Sequence, residues 1–134
     1  MNFRILFTGF LLVLLASPAF ADQTLLLRQP ALSQDHLAFV YAGDIWVSDW
    51  SGQNARRLTS GPATEDTPVF SPDGSMIAFR AGYENNNDVY VMPVAGGQPQ
   101  RLTWHPGRDT PQGWSKDCLL YTSDAADDLV SVSV

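Results

Sequence analysis

An all-β fold assembled from copies of one four-stranded unit is what this sequence predicts, and three observations predict it. Short segments recur at a fixed offset, Gly, Pro, Asn and Asp clusters punctuate the chain every few residues, and nowhere after the first 21 residues is there helical periodicity.

The first residues are read as a targeting signal. Met1 to Arg4 carries one positive charge, and Ile5 to Leu15 is an apolar run broken only by Thr8 and Gly9, too short to span a bilayer. Pro18 interrupts it, and Ala19-Phe20-Ala21 puts small residues where a signal peptidase accepts them, so residues 1–21 are expected to be cleaved and the mature chain to start at Asp22. A buried N-terminal helix would need a polar face, which Ile5 to Leu15 lacks. The expected location is periplasmic or secreted, with no membrane span once the signal is gone. Of the 134 residues 113 then remain, enough for one small domain. The formal charge of −6 becomes −7 without Arg4, which offers no basic patch to phosphates and argues against a nucleic-acid partner. Cys118 is alone, so no internal disulfide can form.

A repeat organises the mature chain. Asp44-Ile45-Trp46-Val47 returns as Asp88-Val89-Tyr90-Val91 and Arg57-Leu58-Thr59 as Arg101-Leu102-Thr103, both 44 residues on. Ala38-Phe39 returns as Ala78-Phe79 after only 40, which places four extra residues, near Glu84 to Asn87, between the second and third strands of the second unit. In that unit Thr67 to Phe70 is the first strand. Ser71-Pro72-Asp73-Gly74 is the turn, with Pro fixing φ, Asp bonding amides ahead of it and Gly taking the fourth place. Met76 to Phe79 is the second strand, apolar enough to be covered on both faces, and Asp88 to Met92 is the third. Gly96-Gly97 supplies positive φ for the next turn, and Pro99 to Leu102 suits an outer edge. The first unit repeats the order with His36 to Tyr41, Asp44 to Asp49, a Ser51-Gly52 turn and Ala55 to Leu58. A third unit starts at Gly113-Trp114-Ser115, where Trp114 stands 44 after Phe70, and only its first strand is expected.

A sheet with two apolar faces must be stacked against others, so period and strand count point to a β-propeller fragment of about two four-stranded blades plus the first strand of a third. A β-sandwich would also give short strands and turns, but not DIWV/DVYV and RLT at one offset. The second unit is expected to pack on the first through Ile77, Phe79, Val89 and Val91, leaving its other face bare.

No arrangement has the spacing of a catalytic, cofactor or metal site, and no such residue is assigned. His36 begins a strand and His105 lies in a turn, without a second ligand at metal spacing. Ser71 and Ser75 belong to the turn, and no Gly-x-Ser-x-Gly elbow occurs. Asp44 and Asp88 hold equivalent positions, which argues for a part in building each unit rather than a unique site. Trp46, Trp50, Phe70, Phe79, Tyr90 and Trp114 could form a carbohydrate platform, but their recurrence favours core packing. Trp50, matched by Val94, is the exception and suits an exposed surface.

FSPDGSMIAF, DVYVMPVAGGQPQRLT and the weaker DIWVSDWSGQNARRLT resemble the WD40-like repeats of bacterial tricorn-type proteases, over roughly Leu25 to Asp117. Members of that family open the mature region with the propeller, at a segment similar to Leu27-Arg28-Gln29-Pro30-Ala31-Leu32, followed by a GDIW-like strand matched by Gly43 to Trp46. The resemblance implies a parent with a second β domain, a PDZ domain and a serine-peptidase core, and a propeller that gates or binds peptide or protein substrates. None of the family's catalytic residues has a counterpart here. The Tol-system periplasmic propeller, a binding scaffold, shares the SPDG and RLT repeats but places an α/β domain before its propeller. Propeller-bearing amidohydrolases and prolyl-oligopeptidase-like enzymes share the repeat as well.

Beyond Asp117 the pattern breaks. Cys118-Leu119-Leu120-Tyr121-Thr122-Ser123-Asp124-Ala125-Ala126-Asp127-Asp128 resembles one reading frame of a transposon-derived sequencing adapter, so residues 118–134 are expected to be a non-native tail. A native strand and acidic loop is the alternative, since Leu119 to Thr122 has strand composition.

Overall fold

The computed structural model describes residues 26–117, 119–123 and 129–133, so the signal segment and Cys118 lie outside it. The described residues form three antiparallel sheets and no helix. The first sheet takes β1 (Arg28–Leu32), β2 (His36–Tyr41), β3 (Asp44–Asp49) and β4 (Arg56–Arg57) in chain order. The second takes β5 (Glu65–Phe70), β6 (Met76–Ala81), β7 (Asp88–Pro93) and β8 (Gln100–Arg101) in the same order. The third joins β9 (Thr110–Trp114), β10 (Leu119–Ser123) and β11 (Leu129–Ser133). First strands lie side by side, β1 against β5 and β5 against β9, so the sheets fan out from a line of inner strands.

Turn chemistry explains the connections. The Gly74 amide donates to the Ser71 carbonyl (2.9 Å), the Ser75 amide to Asp73 Oδ1 (3.1 Å), and Gly74 sits at φ +70°. Hydroxyls of Ser71 and Ser75 also donate to Asp73 and hold its carboxyl down at about 2. The four extra residues fall where the offset places them: β2 and β3 are joined through Ala42-Gly43 alone, β6 and β7 through Gly82 to Asn87. Both outer strands are shorter than expected, and β5 begins two residues earlier, at Glu65.

Two expectations about stacking need correction. In β7 the residues that face the first sheet are Tyr90 and Met92, not Val89 and Val91. Cross-strand partners share a face: Phe79 pairs with Tyr90 and Ile77 with Met92, and these four join Ala38, Val40, Ile45, Val47 and Phe70 in one buried cluster. Ala78, Val89 and Val91 point the other way, where Leu102, Leu120 and the half-buried Met76 and Trp114 cover them. That face is not bare, because the third sheet has three strands rather than one. The segment beyond Asp117 alternates, with Leu120 and Thr122 inward and Tyr121 outward, and Leu120 pairs with Trp114 and Val132. Such alternation suffices for pairing, whatever the origin of the run.

The exposed apolar face belongs instead to the first sheet. A groove of about 290 Å³ runs over Leu27, Leu37, Phe39, Tyr41 and Trp46. Phe39 pairs with Trp46 as Phe79 pairs with Tyr90, so this face copies the one with which the second sheet covers the first.

Candidate functional site

The inner strands and the sheet junctions carry the polar groups of greatest interest. Each inner strand contains an x-Pro step, Gln29-Pro30, Thr67-Pro68 and Thr110-Pro111, and the ladder is irregular across the first two and just after the third, at Gln112. Gln29 and Thr67 take up φ of +51° and +52°, which is costly for a β-branched threonine. The bulge frees the Thr67 amide from the ladder, and it donates to Gln29 Oε1 of the neighbouring sheet (2.9 Å). Two side chains, Trp114 and Arg80, further tie the inner strands. Trp114 Nε1 donates to the Val69 carbonyl (3.1 Å), and Arg80 binds both Asp66 (2.5 Å) and Thr110 Oγ1 (3.1 Å).

At the opposite edge of each sheet one network occurs twice. Arg57 meets Asp44 at 2.7 Å and Arg101 meets Asp88 at 2.8 Å. Both arginine Nε atoms donate to the carbonyl two residues ahead, of Thr59 and of Thr103. The hydroxyls of those threonines accept the amides of Ile45 (2.9 Å) and Val89 (3.0 Å). A buried acid then stands at the head of the next inner strand, Glu65 as the first residue of β5 donating its amide to the Gly43 carbonyl (2.7 Å) and Asp109 just before β9 donating to that of Asn87 (2.8 Å). Asp44 and Asp88 thus each tie two strands of their own unit together through an arginine. Glu65 and Asp109 were not singled out from the sequence, although they are acids 44 residues apart and the offset alone could have flagged them.

Glu65 is completely buried, and Thr59 Oγ1 donates to its Oε2 (3.0 Å). Loss of water around it pushes its carboxyl up, Asp44 adds to this, and the hydroxyls of Tyr83 and Thr59 oppose it. Burial beside Glu65 in turn pushes the Tyr83 phenol up. A cleft of about 360 Å³ opens next to this group, lined by Leu58, Thr59, Tyr83, Met92 and Gln98.

The other candidates are dispersed. His36 is half-buried and stacks on Phe70 (6.4 Å between centroids), while His105 is exposed and accepts the Gly107 amide at Nδ1 (3.1 Å). Ser71 and Ser75 bond within their turn. Phe70, Phe79 and Tyr90 are buried between the first two sheets, Trp114 packs between the second and third, and Trp46 borders the exposed groove. Trp50 is 55% exposed and donates to the Gln34 carbonyl. Trp104, absent from the sequence-based set, is 68% exposed beneath the Arg101 guanidinium. The aromatics therefore form no single platform. Among the described residues no three His, Cys, Asp or Glu side chains are grouped to hold a metal ion.

Residues 24–132 match the family described as the tricorn protease N-terminal beta propeller domain. Tricorn protease homolog 1 of Streptomyces coelicolor is 32% identical over 103 residues, 76% of this chain and 9% of that protein. The tricorn protease of Thermoplasma acidophilum is 30% identical over 102 residues, 74% of this chain and 10% of that protein. A crystal structure of the tricorn protease superposes with a TM-score of 0.66 at 27% identity, over 73% of this chain and 11% of that one. TolB from Acinetobacter baumannii gives 0.62 at 21% identity, over 78% of this chain and 31% of that one, a likeness of fold. The chain spans about a tenth of the length of the tricorn relatives it matches. With its repeated four-stranded sheets stacked about a line of inner strands, this chain belongs to the tricorn protease N-terminal β-propeller family.

Proposed function

We propose that the chain forms the first blades of the propeller of an exported tricorn-type serine peptidase, where it gates or binds peptide and protein substrates and performs no chemistry itself. The match to the N-terminal propeller of a protease carries this reading. In support of it, the hydroxyls, carboxylates and imidazoles described above are engaged in turns, junctions and stacking, and none forms a nucleophile with a partnered base. The negative charge suits a surface that handles peptides rather than nucleic acid.

Assays with a fluorogenic peptide series test the reading. The full-length protein is expected to cleave the peptides, residues 22–134 alone to leave them intact, and deletion of the first two sheets to change which peptide lengths are cleaved. Hydrolysis by residues 22–134, abolished by a His change, would contradict it. Export has its own expected outcome: N-terminal sequencing of the protein recovered outside the cytoplasm should begin at Asp22, and a sequence beginning at Met1 would refute cleavage.

A further inference from the structure

We propose that the junction of the first two sheets is a proton-operated latch at Glu65, closed when this buried carboxyl holds its proton and loosened when it is charged. Glu65 comes from the second sheet and Asp44 from the first, so whatever passes between them acts across the junction. Glu65 is fully buried and the Asp44 side chain is 11% exposed. The Arg57 guanidinium pairs with Asp44 at 2.7 Å, and among the described residues no cation pairs with Glu65. Thr59 gives its hydroxyl proton to Glu65 Oε2, while Oε1 has no hydrogen-bond donor in good geometry.

The remaining neighbours define the cage. Tyr83, from the connection between β6 and β7, lies against the carboxyl and holds a T-shaped contact with Tyr90 (4.8 Å), which in turn feels Arg101, Asp88 and Glu84. Gly61 closes the top so tightly that a Cβ there would come within 3.0 Å of the Tyr83 ring and 3.1 Å of Glu65 Oε1. Protonated, Glu65 is a neutral side chain whose burial in the cage carries no charge penalty. Ionised, it is a buried charge facing a like charge, an arrangement that favours opening of the junction to admit water. Asp109 and Asp88 repeat the placement at the next junction, with Arg101 and Thr103 in the places of Arg57 and Thr59.

The direction with pH comes from the raised carboxyl of Glu65. The closed junction binds the proton more tightly than the open one, so its stabilisation is complete below the ordinary value of 4.5 and is lost as pH rises through the elevated one. Hydrogen exchange of residues 58–70 in the full-length protein, corrected for intrinsic rates between about pH 5 and 8, tests this. Wild type should lose protection as pH rises, by up to about tenfold per unit within the window. Glu65→Gln, a permanently uncharged side chain of the same shape, should hold the low-pH protection throughout. Tyr83→Phe removes a hydroxyl that favours the charged form, so its loss of protection should shift to higher pH. A flat wild-type profile, an unchanged slope in Glu65→Gln, or an unshifted Tyr83→Phe profile would each overturn the latch; should Glu65→Gln not fold, the Tyr83→Phe profile decides.

Discussion

Phe79→Ala should leave residues 22–134 without stable strand structure, whereas Phe39→Ala, at the matching place 40 residues earlier, should leave it nearly as it was. Phe79 is fully buried, its ring stacked on Tyr90 (6.1 Å) and enclosed by the apolar faces of two sheets. Removing such a ring costs about 3–5 kcal/mol, the lost transfer energy plus the cavity left behind. Small domains hold only about 5–15 kcal/mol in total, and a structure with open faces holds less. Phe39 has the same chemistry and the same cross-strand geometry, but it borders an open groove, so truncation there opens no cavity. Far-UV circular dichroism distinguishes the two. Equal losses from both substitutions would mean that something covers the first sheet's outer face in the isolated chain.

Phe39 and Phe79 look alike in the sequence and differ only in what covers them, which marks how far the sequence could be read. Identical strings at one offset located the strands, the Ser71 to Gly74 turn and the enlarged connection between β6 and β7, because each depends on local chemistry that repeats with the residues. The phase of β7 was not legible. Asp88 to Met92 are all buried, so burial alternates with nothing, and only the pairing of Ala78 with Val91 and Phe79 with Tyr90 decides which side chains face which sheet. Length of the outer strands was overestimated for a related reason: Ala55, Leu58, Pro99 and Leu102 have strand-like surroundings, but only two residues of each segment find ladder partners. At the junction, the Asp and the Arg-Leu-Thr strings were visible as repeats, and their meeting in space was not, since 13 residues separate Asp44 from Arg57. Glu65 escaped notice because a lone acid before a strand looks like a surface residue. Its burial comes from Gly61 and Tyr83 closing over it, which no local pattern announces.

These are sheets of a propeller ring rather than of a self-sufficient barrel or sandwich, and their energetics should show it. Sheets in such an array contribute their own stability plus that of each interface, and here two interfaces stand where a closed ring of about four to eight blades has one per blade. Against them stands a conformational entropy cost of roughly 1–2 kcal/mol for every backbone residue ordered. The open groove over Leu37, Phe39 and Trp46, with Leu27 at 48% and Leu32 at 58% exposure beside it, is apolar surface of the kind that drives association. Because this face and the faces that cover it in the array are different, contact between copies is head-to-tail and need not stop at a dimer. The decisive measurement is urea unfolding of residues 22–134 combined with its molar mass by light scattering across a concentration series. An open array should give a mass that climbs with concentration, or a monomer whose unfolding is broad and close to zero free energy in water. A concentration-independent monomer with one sharp transition of more than about 5 kcal/mol would contradict the open array, since that is the stability of a domain whose core is already closed.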